Sequence, residues 1–112
     1  MKTKTFKEYE ELMRPLARYP NIGDNYVYPT LGLVGESGEF ADKIKKIIRD
    51  KGGEIDNMDC MALLKELGDV LWYIASCACE LGSSLEEVAN INVDKLLDRN
   101  ARNVLQGSGD ER

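Results

Sequence analysis

Two pairs of carboxylates stand out in the sequence: Glu36 with Glu39, and Glu66 with Asp69. In each pair the spacing is i, i+3, which on a helix puts both side chains on one face, about 60° apart around the axis. The second pair lies inside Met61–Ala75, a run apolar on almost every side and so expected to be a central, largely buried helix. Asp is a poor helix-interior residue, and Gly68 beside it costs roughly 1 kcal/mol relative to Ala. An ionised carboxylate taken out of water without a partner costs several kcal/mol more. A sequence that carries these penalties is expected to supply a cation. Two such helices packed antiparallel would converge four carboxylates on one pocket, and hard oxygen donors suit Mg²⁺, Mn²⁺ or Ca²⁺ rather than soft metals. One Glu-x-x-Glu pair alone is common on solvated faces, and Glu66 alone could pair with Lys65 or Lys95. It is the combination of two pairs, one embedded in an apolar run, that argues for a metal.

The rest of the composition narrows the chemistry. The chain has no histidine, which removes serine–histidine and cysteine–histidine nucleophile pairs and the Glu-x-x-His motif of di-iron bundles. Three cysteines, Cys60, Cys77 and Cys79, suit neither the count nor the spacing of tetrahedral zinc and are expected to be buried, reduced thiols. A formal net charge of −5 argues against a duplex-binding face, so no nucleic-acid partner is expected. No segment approaches the roughly 20 apolar residues of a membrane span, and the start MKTKTFKEYEE lacks a signal-peptide apolar region. A cytoplasmic protein with no membrane partner is therefore expected.

The elements that must position these acids are legible as helices. Thr5-Phe6-Lys7-Glu8 reads as a capping box opening a short helix to about Arg14. Residues 17–29 hold Pro20, Gly23, Asp24, Asn25 and Pro29 and read as a loop. A long helix is expected from about Leu31 to Asp50, ended by Gly52-Gly53. The next runs from about Asp59 to Leu81, and Ser84-Leu85-Glu86-Glu87 opens a fourth to about Val104. No period-2 run calls for a strand. The expected fold is all-α: an antiparallel four-helix bundle, one domain over 1–105 with a flexible tail over 106–112, completed by oligomerisation because the central helix is too apolar for so small a monomer. Gly32, Gly35 and Gly38 recur at i, i+3, i+6, a stripe expected to let another backbone approach closely.

At these residues the sequence resembles a known family. Glu36-x-x-Glu39 followed by Glu66-x-x-Asp69 is similar to the metal signature of the MazG-like all-α nucleoside triphosphate pyrophosphohydrolases, related to dimeric dUTPases, dCTP pyrophosphatases and phosphoribosyl-ATP pyrophosphohydrolases. The flanks Tyr28-Pro29-Thr30-Leu31-Gly32-Leu33-Val34-Gly35 and Lys65-Glu66-Leu67-Gly68-Asp69-Val70-Leu71-Trp72-Tyr73 strengthen it, and the likeness covers about residues 26–102. The resemblance implies hydrolysis of an NTP or dNTP to monophosphate and pyrophosphate with Mg²⁺, with Mn²⁺ as a substitute, and Glu36, Glu39, Glu66 and Asp69 as metal-binding and catalytic residues. The apolar central helix from Met61 to Cys79 separately predicts a homodimer or dimer of dimers. Cations for substrate phosphates would come from Lys43 and Lys46, which continue the carboxylate stripe. Lys95, Arg99 and Arg102, at i, i+4, i+7, are similar to the phosphate-contacting helix of such proteins, with Asn92 a weaker candidate.

Tyr73, seven residues past Glu66, shares the metal face, whereas Trp72 points about 100° away. The aromatic stretch from Tyr19 to Tyr28 is either a lid that stacks on a base or a loop packed on the helices. Two alternatives stand beside the enzyme: a non-catalytic dimerisation module around a structural cation, and a phosphohydrolase of a related substrate such as phosphoribosyl-ATP.

Overall fold

A computed structural model describes residues 2–102. The expected boundary between a domain ending at 105 and a tail, and the last turn expected of the fourth helix, lie outside the described residues. Those residues form α1 (Phe6–Met13), a 3-10 turn (Arg14–Leu16), α2 (Val27–Lys51), α3 (Asn57–Glu80) and α4 (Leu85–Ala101). Among them there is no strand.

Local chemistry sets most of the helix ends. The Glu8 amide donates to Thr5 Oγ1 at 3.1 Å, and the Glu8 carboxylate reaches the Lys4 amide rather than closing the expected box on Thr5. Helix α3 has the complete reciprocal box instead. The Asp59 amide donates to Asp56 Oδ1 (2.8 Å) and the Asp56 amide donates to Asp59 Oδ2 (3.2 Å). Ser84 caps α4 by accepting from the Glu87 amide. Gly52 ends α2 in the left-handed region at φ 63°, where glycine carries no Cβ penalty.

Helix α2 begins four residues earlier than the sequence suggested, taking Tyr28, Pro29 and Thr30 into its first turn. Proline is tolerated there because a first-turn N–H has no helical partner to lose. The capping group is the Asn25 side chain, which accepts from the Tyr28 amide at 3.0 Å and donates to the Pro20 carbonyl at 2.7 Å.

Helices α2 and α3 pack against one another as a long hairpin, the one extensive helix pair among the described residues. Lys51 ties its closed end by donating to both Asp56 (2.9 Å) and Asp59 (2.7 Å). Helices α1 and α4 attach near the far end of α3. Arg14 donates to the fully buried Ser76 hydroxyl at 3.1 Å. The Glu10 carboxylate accepts from the Leu85 amide at 2.8 Å, at the positive end of α4. The described residues are thus all-helical but more open than a closed bundle. Its Cα radius of gyration is 16.8 Å, against about 13 Å for a compact domain of this length.

The glycine stripe divides. A Cβ on Gly32 would lie under 3.0 Å from three atoms of the Tyr73 ring, so the close approach is real there, to a side chain rather than a backbone. At Gly35 and Gly38 a Cβ would meet nothing within 4 Å, so the expected close approach does not occur within the described residues. The cysteines also depart from expectation: all are free, but Cys60 is exposed and Cys77 and Cys79 are half-buried.

Candidate metal centre

The hairpin brings three of the four acids together. Glu36 from α2 and Glu66 and Asp69 from α3 each place a carboxylate oxygen within 4.8 Å of the others. Glu36 and Glu66 are half-buried, the Glu66 side chain at 16% exposure, and Asp69 is exposed. Glu39 is exposed and outside this group, one turn along α2. It remains close enough to act through its charge. The Glu36 carboxyl is raised above the ordinary carboxylate range, first by burial and then by the charges of Asp69, Glu66 and Glu39. Convergent carboxylates whose charges raise the proton affinity of Glu36 form a set a divalent cation would neutralise, and carboxylate oxygens fit a hard ion.

The register that achieves this rests on Gly32 and Tyr73. With no side chain at Gly32, the Tyr73 ring lies against the α2 backbone one turn before Glu36. Asp69 sits one turn before Tyr73 on α3, so the ring contact lies one turn from two of the three acids, Glu36 and Asp69. Trp72 meets Tyr73 edge-on, ring centroids 5.0 Å apart at 85°. Glu36, Asp69, Trp72 and Tyr73 line a cleft of about 370 Å³. The Tyr73 phenol is raised by burial, then by Tyr28, Glu36 and Asp69.

Lys43 Nζ stands 3.6 Å from Glu66 Oε1, so it reaches across to α3 rather than pairing with Glu39 on its own helix. Lys46 pairs with Asp42 at 2.8 Å. Both lysines line a second cleft of about 220 Å³ with Lys51 and Asp59. On α4, Lys95 is half-buried, and Arg99 is 4% exposed, engaged within the chain rather than open to solvent. A phosphate contact needs an open approach, which Arg99 does not offer.

Two neighbours were not anticipated. Tyr9 on α1 has its phenol raised by burial and next by the charge of Asp69, so it lies within electrostatic reach of that acid. Its only sequence signal is an aromatic at an amphipathic position. Glu80, at the end of α3, gathers the 17–26 loop by accepting from the Tyr19 hydroxyl and from the Gly23 (2.9 Å) and Asn25 (3.1 Å) amides. No local pattern marks it.

Fold and site define an all-helical protein with a carboxylate centre suited to a divalent cation, held between two antiparallel helices. Residues 29–103 match the MazG nucleotide pyrophosphohydrolase domain, and the chain belongs to that family. It is also 46% identical over 109 residues to the Gene 37 protein of Mycobacterium phage L5, covering 93% of this chain and 96% of that protein. No solved structure matches the chain significantly.

Proposed function

We propose that the chain hydrolyses nucleoside or deoxynucleoside triphosphates to the monophosphate and pyrophosphate, with Mg²⁺ as the working ion and Mn²⁺ able to replace it. The observation that carries this reading is the carboxylate trio from two helices, beside an aromatic-walled cleft, in a chain of the MazG family. Glu36, Glu66 and Asp69 would hold the cation, and Glu39 completes the acid set one turn away. A polyanionic triphosphate has no reason to enter an all-carboxylate pocket unless positive charge bridges the two. When bound, the cation offsets charge on the phosphoryl oxygens and lowers the pKa of water. Cleavage of the α–β phosphoanhydride consumes one water, whose proton passes to a carboxylate of the set. Lys43 and Lys46 offer further positive charge to the phosphates, while Trp72 and Tyr73 wall the nucleoside end. Lys95 is a further candidate for the phosphates.

The working form is a homo-oligomer, and a closed bundle is completed between copies. The accessible surface is 8346 Å², whereas a compact monomer of 12.6 kDa exposes about 6,200 Å². Val27, Leu31 and Val34 are 53%, 66% and 67% exposed along the outer side of α2, a continuous apolar stripe of the kind that marks an association face. No helix among the described residues is long and apolar enough to cross a membrane; the proposed setting is cytoplasmic.

The test is a panel of the common NTPs and dNTPs with Mg²⁺, scoring pyrophosphate separately from phosphate, before and after EDTA. Release of pyrophosphate that stops in EDTA and returns with Mg²⁺ or Mn²⁺ is expected. A protein that binds Mg²⁺ tightly but hydrolyses none of the panel is instead a module with a structural cation.

A further inference from the structure

The loop between the 3-10 turn and α2 is held in a demanding shape by one carboxylate. Asn21 and Gly23 both sit at positive φ, 54° and 95°, and the Asp24 amide closes a turn on the Asn21 carbonyl at 2.9 Å. Within the loop the Asn25 side chain donates to the Pro20 carbonyl at 2.7 Å. What ties the loop to α3 is Glu80, whose two oxygens take three donors, from Tyr19, Gly23 and Asn25. Charge-assisted hydrogen bonds of this kind are roughly twice as strong as neutral ones.

The consequence reaches the cleft. Tyr19, 5% exposed, lies parallel to Tyr28 with ring centroids 5.2 Å apart and planes 8° from parallel. Tyr28 is 44% exposed, so one face of its ring is held by Tyr19 and the ring remains accessible. Tyr28, Gly32 and Glu36 follow one another at i, i+4, i+8 on one side of α2, about 12 Å from first to last. Tyr73 covers Gly32 in the middle. This row runs from the carboxylate trio to an accessible aromatic ring, a span like that between the polyphosphate and the base of an extended nucleotide.

We propose that Glu80 is a positioning residue for substrate: by anchoring the loop it holds the Tyr19–Tyr28 stack beyond the Tyr73 side of the cleft, where a nucleobase reaching out of the cleft lies against Tyr28. This rests on the nucleotide reading above. It makes base binding by Tyr28 depend on a residue of α3 that touches neither metal nor phosphate.

The experiment measures equilibrium binding with Mg²⁺ of two probes: the α,β-imido analogues of the four dNTPs, and inorganic tripolyphosphate, which has the charge but no base. In Glu80→Gln, which loses the charge and one acceptor, at least one imido nucleotide that binds the parent is expected to bind about tenfold more weakly, at the low end of what base–aromatic stacking supplies. Tripolyphosphate affinity is expected to stay within twofold. Tyr28→Leu is expected to show the same pattern, and adding Glu80→Gln to it to cause little further loss, because both act through one contact. Tyr19→Phe, which keeps both rings and removes one donor, is expected to give a smaller loss of the same kind; it serves if Glu80→Gln does not fold.

Equal weakening of both probes, or of neither, overturns the proposal, as do fully independent effects of Glu80→Gln and Tyr28→Leu. A parent that binds imido nucleotides better than tripolyphosphate yet hydrolyses neither dNTPs nor NTPs removes the enzymatic reading, and the positioning role then stands or falls on the same binding test. A parent that binds tripolyphosphate and the nucleotides alike overturns the positioning role alone.

Discussion

Replacing Gly32 with alanine adds one methyl group where the structure has no room for it. The new Cβ would lie under 3.0 Å from three atoms of the Tyr73 ring, against the 3.5–4.0 Å or so of an ordinary carbon contact. The ring must retreat by about 1 Å, and its edge-on partner Trp72 stands in contact with it. Overpacking of this kind costs about 1–3 kcal/mol, while exchanging glycine for alanine inside a helix returns roughly 1 kcal/mol. The expected net change is a destabilisation of about 1 kcal/mol, which for a domain of this size lowers Tm by about 4–8 °C. Activity should suffer more than stability, because Tyr73 lines the cleft and sets the separation of Glu36 from Asp69. Calorimetric melts paired with steady-state pyrophosphate release would measure both. A variant that melts higher than the parent, as an unhindered glycine-to-alanine change does, and keeps its rate would refute the argument that this contact fixes the register.

Asp69→Asn removes a ligand and one of three mutually repelling charges, so hydrolysis should fall by orders of magnitude while the metal-free Tm stays unchanged or rises; a lowered Tm at the parent rate would contradict this. Lys43→Ala removes the cation beside Glu66, so titration calorimetry should find Mg²⁺ bound more tightly without nucleotide, and kinetics a higher KM for the triphosphate. Gly38, exposed one turn past Val34, continues the line of the apolar stripe of α2, so Gly38→Ala should weaken self-association in sedimentation runs; a parent that sediments as a 12.6 kDa monomer at tens of micromolar would refute the oligomer. pH should act in two windows on the metal-free protein. With the Glu36 carboxyl raised by burial and its neighbours, the folded chain binds a proton before the unfolded chain does, so stability should grow as pH falls from the raised value to the ordinary one. With the Glu80 carboxyl lowered by its three donors, Tyr19 first, its stabilisation is present above the ordinary value and lost as pH falls through the lowered one. Urea melts across pH should lose the first effect in Glu36→Gln and the second in Glu80→Gln.

What the sequence determined is what depends on residues within a few positions of one another. The helix class, the Ser84 cap, the Gly52 stop and the pairing of acids within each helix all follow from a 3.6-residue repeat and single-turn hydrogen bonds. Even the early start of α2 was locally written, in the Asn25 side chain that caps it, though Pro29 masked the signal. What only the tertiary structure decided is the register between helices. Glu39 and Glu36 look equivalent in sequence, yet only Glu36 joins Glu66 and Asp69, because the Gly32–Tyr73 contact sets how α2 is rotated against α3. Lys43 reads as the i+4 partner of Glu39 and instead meets Glu66. Arg99 shares a helical face with Lys95 on paper, yet packing buries it at 4% exposure. Glu80 has no sequence mark at all, since its donors lie 55 to 61 residues away. A helix repeat fixes which side chains share a face; which face meets which neighbour is a property of the packed core.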